Sequence, residues 1–255
     1  MNVDVAVVTG GAAGLGRLVT RRLAGRGLLV VVADTDSETG SRLVEELADQ
    51  GRRAAFVDTD TSDAEAVRRL MTHVRAEGTL KVLVNNAGGW LPGPQYPDSD
   101  HWRQSLELNL LMPMLATQLA LPLMSRDGGG IVNVSSSGGW GSDSYGSPEY
   151  GAAKAGLIRF TTALGDWAER YGVRVNCVVP HWIGLDRAVR EYQQMTARRR
   201  ELSGGLVDPD LVADTIVDLA LDRTSAGRVI MIRPGHDPYA VDPGSADPQQ
   251  GPSLR

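Results

Sequence analysis

The chain has 255 residues, a size that parallel α/β domains commonly reach as one unit around one core. Charged residues make up 22% and hydrophobic ones 42%, the balance of a globular protein, and the formal net charge is -5. That charge speaks against a nucleic-acid partner, which calls for a basic stripe, and the Arg-dense stretch Arg198-Arg199-Arg200 reads as a solvated helix face.

Short β-branched runs alternate with longer amphipathic ones. In chain order the pattern predicts a strand over 3–8, a helix over 14–26, a strand over 28–33 and a helix over 37–50. A strand over 54–57 and a helix over 63–77 follow, then a strand over 81–84 and a long helix over about 100–125. The next pairs are 130–134 with a helix near 149–171, and 173–179 with helical stretches at about 185–201 and 208–221. A last strand is expected over 228–232. Apolar strands between helices indicate a parallel sheet of about seven strands, covered on both faces and doubly wound. No repeat or linker divides residues 1–235, and the Pro-, Gly- and Asp-rich stretch 236–255 reads as a tail.

The single cysteine, Cys177, sits in an apolar run, has no disulfide partner and no metal-ligand spacing around it. It reads as a buried core residue, consistent with a reducing compartment, and no metal site is predicted. The N-terminus enters an apolar strand almost at once, with no basic stretch or cleavage site. The longest continuous apolar run, 28–33, is far too short to span a bilayer. A cytoplasmic protein with no membrane partner is expected.

The first strand runs directly into Thr9-Gly10-Gly11-Ala12-Ala13-Gly14-Leu15-Gly16. Glycines 10, 14 and 16 permit a tight turn and close approach to a phosphate, and the following helix aims its free N–H groups at it. Placed between a strand and a helix, this loop points to dinucleotide binding on a Rossmann-type domain. Asp34 ends the second strand, eighteen residues beyond Gly16. A carboxylate there accepts from ribose hydroxyls and repels a 2′-phosphate, and Thr35-Asp36 offer no compensating cation, so NAD is the expected cofactor. The alternative is a strand-end turn aspartate or a helix N-cap.

Tyr150 and Lys154 are four residues apart at the start of a predicted helix, on one face. A nearby ammonium favours the phenolate, so Tyr150 could exchange a proton with a substrate hydroxyl or carbonyl. By itself this spacing is common and structural. In context the sequence resembles the short-chain dehydrogenase/reductase family over about residues 3–235. The resemblance rests on the 9–16 loop, Asp60 after the third strand, Asn85-Asn86-Ala87-Gly88 after the fourth, Asn109 in the long helix, Ser135-Ser136 after the fifth and Tyr150-x-x-x-Lys154.

The resemblance implies an NAD(H)-linked oxidoreductase of secondary alcohols and ketones. Tyr150 would be the general acid/base, Lys154 would lower its pKa and hold the nicotinamide ribose, Ser136 would steady the substrate oxygen, and Asn109 would support a proton path. Gly10, Ala13, Gly14, Leu15, Gly16 and Asp34 would bind the cofactor together with Asp60 and Thr61, Asn86, Ala87 and Gly88, Tyr150 and Lys154, Pro180 and Ile183. A homotetramer or homodimer built on the long helices is also implied.

Three departures stand out. Pro180-His181 replaces the usual Pro-Gly, so His181 has either a special role near the nicotinamide or merely a turn position. Leu185 stands where a threonine often touches the cofactor. The step from Ser136 to Tyr150 is one residue longer than usual, which keeps Ser137 as a second candidate for the substrate oxygen. Trp90, Trp140, Tyr145, His181 and Trp182 fall on loops at the carboxyl ends of strands, where this fold binds ligands. They line a pocket for an apolar or ring-shaped substrate, or else pack loops and subunits. The segment 185–205 resembles a substrate lid whose arginines (187, 190, 198, 199, 200) meet an anionic group or face solvent. Competing functions are an NADPH-dependent biosynthetic ketoreductase, which Asp34 disfavours, and a catalytically silent NAD-binding regulator, which the intact Tyr150 and Lys154 disfavour. An epimerase or dehydratase would need an added substrate domain for which the chain has no room.

Overall fold

Strands with apolar side chains on both faces need helices on both sides, and the chain supplies them alternately. The computed structural model describes residues 3–91, 100–124, 127–141 and 146–244. The first half runs β1 (Asp4–Thr9), α1 (Gly14–Gly25), β2 (Leu29–Asp34), α2 (Ser37–Asp49), β3 (Ala54–Asp58), α3 (Ala64–Glu77) and β4 (Thr79–Asn85). A long helix follows in three parts: α4 (His101–Leu106), a π-helical turn (Glu107–Leu111) and α5 (Met112–Met124). Then come β5 (Gly129–Val134), a 3-10 turn (Ser137–Gly139), α6 (Pro148–Ala163), α7 (Trp167–Tyr171) and β6 (Val173–Pro180). The chain continues through α8 (Asp186–Gln194), α9 (Ala197–Ser203), α10 (Pro209–Leu221), β7 (Val229–Ile232) and β8 (Tyr239–Val241).

The sheet order is β3-β2-β1-β4-β5-β6-β7-β8. Seven strands are parallel, and β8 pairs antiparallel with β7. The tail expected from 236 therefore begins later: three residues of Pro- and Gly-flanked sequence still cover the edge of β7. Alternate strand residues pack on opposite helical layers. Leu23 of α1, Leu43 and Leu47 of α2 and Ile216 of α10 meet Ala6, Val8, Val30 and Val32 on one face. On the other, Leu70 and Val74 of α3 and Ala120 and Met124 of α5 meet Val5, Val7, Val31 and Leu83. Each such fully buried leucine or isoleucine contributes about 1.5–3 kcal/mol. Asp side chains start the helices: Asp63 accepts from the N–H groups of Glu65 and Ala66 at α3, and Asp208 from that of Asp210 at α10.

Two predicted helices are split. Residues 149–171 divide into α6 and α7, and 185–201 into α8 and α9, where Thr196 caps the second piece by accepting from Arg199 N–H. By length and composition His101–Met124, with 24 residues and mean hydropathy 1.3, could cross a membrane. In the fold it is a helix of the domain, with Ser105, Asn109, Pro113, Ala116, Thr117, Ala120 and Met124 buried.

Candidate active site

Strand order reverses between β1 and β4, and ligand clefts of α/β sheets open at such a reversal. A cleft of about 1020 Å³ opens there at the carboxyl ends of the strands. Its wall includes Gly10, Ala13, Gly14, Leu15, Gly16, Asp34, Asp60, Thr61, Asn86, Ala87, Gly88, Trp90, Ser136, Ser137, Tyr150, Lys154, Pro180, His181, Trp182 and Ile183. Residues picked from distant parts of the sequence thus share one wall.

At one end the glycine loop leaves no room for a side chain at Gly10 or Gly16. Gly10 has φ +62°, and a Cβ on Gly16 would lie 1.9 Å from the Gly10 carbonyl oxygen. Asn86 staples the loop to β4 by donating from Nδ2 to the carbonyls of Thr9 and Gly10 at 2.9 and 3.0 Å. Asp34 accepts from the N–H groups of Ala12 (3.0 Å), Thr35 (2.8 Å) and Asp36 (3.2 Å), which fixes its carboxylate at the end of β2. Asp36, not Asp34, caps α2. Asp60 spends one oxygen on Ser62 N–H and Oγ, at 2.8 and 2.7 Å. A bare phosphate cradle beside a fixed carboxylate fits a dinucleotide: pyrophosphate at the helix N-terminus, ribose at Asp34.

At the other end stands the Tyr–Lys pair. Lys154 Nζ lies 5.6 Å from the centroid of the Tyr150 ring and donates to the Val134 carbonyl at 2.9 Å. Burial pulls its pKa down from 10.5 to about 8. Ser135 Oγ donates to the Lys154 carbonyl at 2.8 Å, so both ends of the lysine are tied to β5 and the residue after it. The nearby Cys177 thiol is pushed up to about 12 by burial and stays an inert core group.

The serine loop distinguishes its two candidates. Ser136 Oγ accepts from Gly138 N–H at 3.1 Å, while Ser137 Oγ lies 3.1 Å from His181 Nδ1. His181 Nε2 is 2.7 Å from the carbonyl oxygen of Ser203, the last residue of α9. Ile183 bridges to Val207, and Leu185 covers Gly14, whose added Cβ would lie 3.4 Å from Leu185 Cδ1. Trp182 packs edge-on against Tyr192 with centroids 6.2 Å apart. Of the five lid arginines only Arg187 is on the cleft wall, and it pairs with Glu191 at 3.4 Å.

Two of the described residues expected there are not on that wall. Asn109 is fully buried, with its amide accepting from Gly89 N–H at 2.8 Å and donating to the Gly89 carbonyl at 3.1 Å. It shapes the loop after β4 instead of lining the cleft. Trp140 packs on the cluster of Ile158, Cys177 and Val229, because the 3-10 turn carries it over α6. Tyr145 lies outside the described residues.

Two groups escaped the sequence reading. Asn85 Nδ2 donates to Asn133 Oδ1 at 2.8 Å, and Asn133 Nδ2 to Thr161 Oγ1 at 2.9 Å, a buried ladder that ties α6 to the sheet. An asparagine in the middle of the apolar strand Gly129–Val134 was the available signal. Glu149 is buried beside Tyr150, accepts from Ser147 Oγ at 2.5 Å and lies 3.4 Å from His101 Nε2.

Comparison with known proteins agrees with this geometry. The family model described as short chain dehydrogenase matches residues 4–195. A cis-4-hydroxycyclohexanecarboxylate dehydrogenase of Sinomonas cyclohexanicum is 38% identical, with 91% of this chain and 96% of that protein covered. A 7alpha-hydroxysteroid dehydrogenase of Bacteroides fragilis is 33% identical over 92% and 95%. The crystal structure of a single-substitution variant of the actinorhodin polyketide ketoreductase with NADPH superposes with a TM-score of 0.80 at 28% identity, covering 91% of this chain and 97% of that one.

Proposed function

The chain belongs to the short-chain dehydrogenase/reductase family of Rossmann-fold oxidoreductases acting on hydroxyl or carbonyl substrates, and within it we propose an NAD-dependent dehydrogenase of ring-borne secondary alcohols. The observation that carries the cofactor assignment is Asp34, a carboxylate held by three backbone N–H groups on the cleft wall. A 2′-phosphate brought there would meet a fixed negative charge. Both similar dehydrogenases act, by their names, on a ring hydroxyl, and Trp90 and Trp182 give the cleft apolar surface.

Bound nicotinamide would take up the hydride. Tyr150 accepts the substrate hydroxyl proton, and the Lys154 ammonium beside its ring favours the phenolate. Ser136 accepts from Gly138 N–H and so keeps its own proton to donate to the substrate oxygen. Ser137 does not compete for that role, because its hydroxyl is engaged with His181. Asn109 positions the loop at Gly88–Gly89, and Asp60 and Thr61 border the adenine end.

The NADPH-dependent reading draws support from the ketoreductase likeness and from Arg17, directly after the glycine loop. Arg17, however, is bound to Glu46 at 3.1 and 2.8 Å, and Arg21 is bound to the same carboxylate. Trp102 and Leu111 on the long helix are 46% and 48% exposed, and burial of these side chains in a homodimer or homotetramer is part of the proposal. So is a cytoplasmic location, with the one cysteine buried and reduced. Titration with NADH and NADPH, read by energy transfer from tryptophan, tests the cofactor, and tighter NADPH binding would reverse the assignment. Tyr150→Phe is expected to bind NADH normally and lose turnover by roughly 100-fold or more, the general-acid/base share of catalysis; unchanged turnover removes Tyr150 from its role.

A further inference from the structure

His181 settles what its serine neighbours can offer a substrate. The Ser203 carbonyl is one of those a helix C-terminus leaves without a partner, and a carbonyl can only accept. His181 Nε2, 2.7 Å away, therefore carries the ring proton. In the Nε2–H tautomer that this contact selects, Nδ1 is an acceptor, and Ser137, 3.1 Å away, donates its only proton to it.

Ser137 consequently presents lone pairs on the cleft wall, where Ser136 presents a proton. The imidazole is not forced by backbone geometry. No described non-glycine residue has a positive φ, so this turn accepts a side chain without strain. It bridges the loop after β5 to the end of α9 and fixes the polarity of one hydroxyl inside the cleft.

We infer that Ser137, oriented by His181, is a subsite for a second hydroxyl of the substrate. The class of substrate is a cyclic diol or sugar in which a hydroxyl near the reacting carbinol donates into Ser137 Oγ. This rests on the cleft being an alcohol-oxidising site. The same polarity disfavours a carboxylate at that position, since lone pairs would face lone pairs.

The test compares kcat/KM with NAD for cyclohexanol, the 1,2- and 1,3-cyclohexanediols and 4-hydroxycyclohexanecarboxylate, in the full chain and in Ser137→Ala and His181→Gly. A diol preferred over cyclohexanol by roughly 10- to 100-fold, with that ratio falling toward one in both variants, is expected. Three outcomes overturn the subsite: no diol is preferred, the ratio survives in Ser137→Ala, or the carboxylate is the compound whose advantage Ser137→Ala abolishes. Equilibrium binding of 2-hydroxycyclohexanone and cyclohexanone to the NADH complex of Tyr150→Phe gives the same comparison with hydride transfer suppressed. Equal affinities there refute the subsite, whereas tighter hydroxyketone binding without any oxidation by the full chain refutes only the proposed activity.

Discussion

Replacing Lys154 by methionine should make the protein more stable while abolishing its proposed activity. The Lys154 side chain is buried, and its pKa falls from 10.5 to about 8 because burial disfavours the charge. That gap corresponds to about 3 kcal/mol against folding at neutral pH. Methionine has a similar length and no charge, so the penalty disappears. The Val134 carbonyl loses its partner, which takes back about 1 kcal/mol. A net gain of about 2 kcal/mol remains, which for a domain of this size raises Tm by about 5 °C.

The gain depends on pH. Between about 8 and 10.5 the unfolded parent still holds the lysine proton that the folded parent has released. Parent stability therefore rises with pH across that window, and above it the variant's advantage gives way to a deficit of about 1 kcal/mol from the lost Val134 hydrogen bond. Calorimetry of both proteins without cofactor at about pH 7 and about pH 10, on either side of most of that window, measures both effects. A Lys154→Met protein that melts at or below the parent at the lower pH, or whose advantage persists undiminished at the higher, would show that the buried ammonium is compensated and the reasoning wrong.

Asp34→Ser removes the fixed charge at the ribose end, and the ratio of NADPH to NADH dissociation constants should fall roughly tenfold or more; an unchanged ratio would assign the preference elsewhere. Trp102→Glu combined with Leu111→Glu should yield monomers in light scattering after size exclusion, with a native circular dichroism spectrum. A persisting oligomer would move the subunit contact off the long helix.

Much of this was legible because the signals were local. The strand Leu29–Asp34 is apolar on both faces, and the glycine loop lies directly between a strand and a helix. What stayed hidden depends on distant groups. The ladder from Asn85 through Asn133 to Thr161 crosses three elements, and no short window of sequence contains two of its members. The engagement of Ser137 by His181 depends on where the end of α9 falls. Strand β8 is three residues among prolines and glycines and exists because the edge of β7 templates it. Trp140 was drawn toward the pocket by its place in the sequence, but its loop folds back over α6.

The long helix was legible over about 100–125, but its π-helical turn was not, and that turn has its own consequence. His101, Ser105, Asn109, Pro113 and Thr117 are buried at every fourth position. An α-helix turns about 100° per residue, so such a stripe slips about 40° at each step and would soon wind off the domain. The wider π-helical turn at Glu107–Leu111 takes up that slip. Ala116, Ala120 and Met124 join that buried side, whereas Trp102 and Leu111 stay 46% and 48% exposed. A lone protomer therefore holds these two large apolar side chains in water. In the assembly proposed here, dilution acts as a mild denaturant: stability should track protomer concentration.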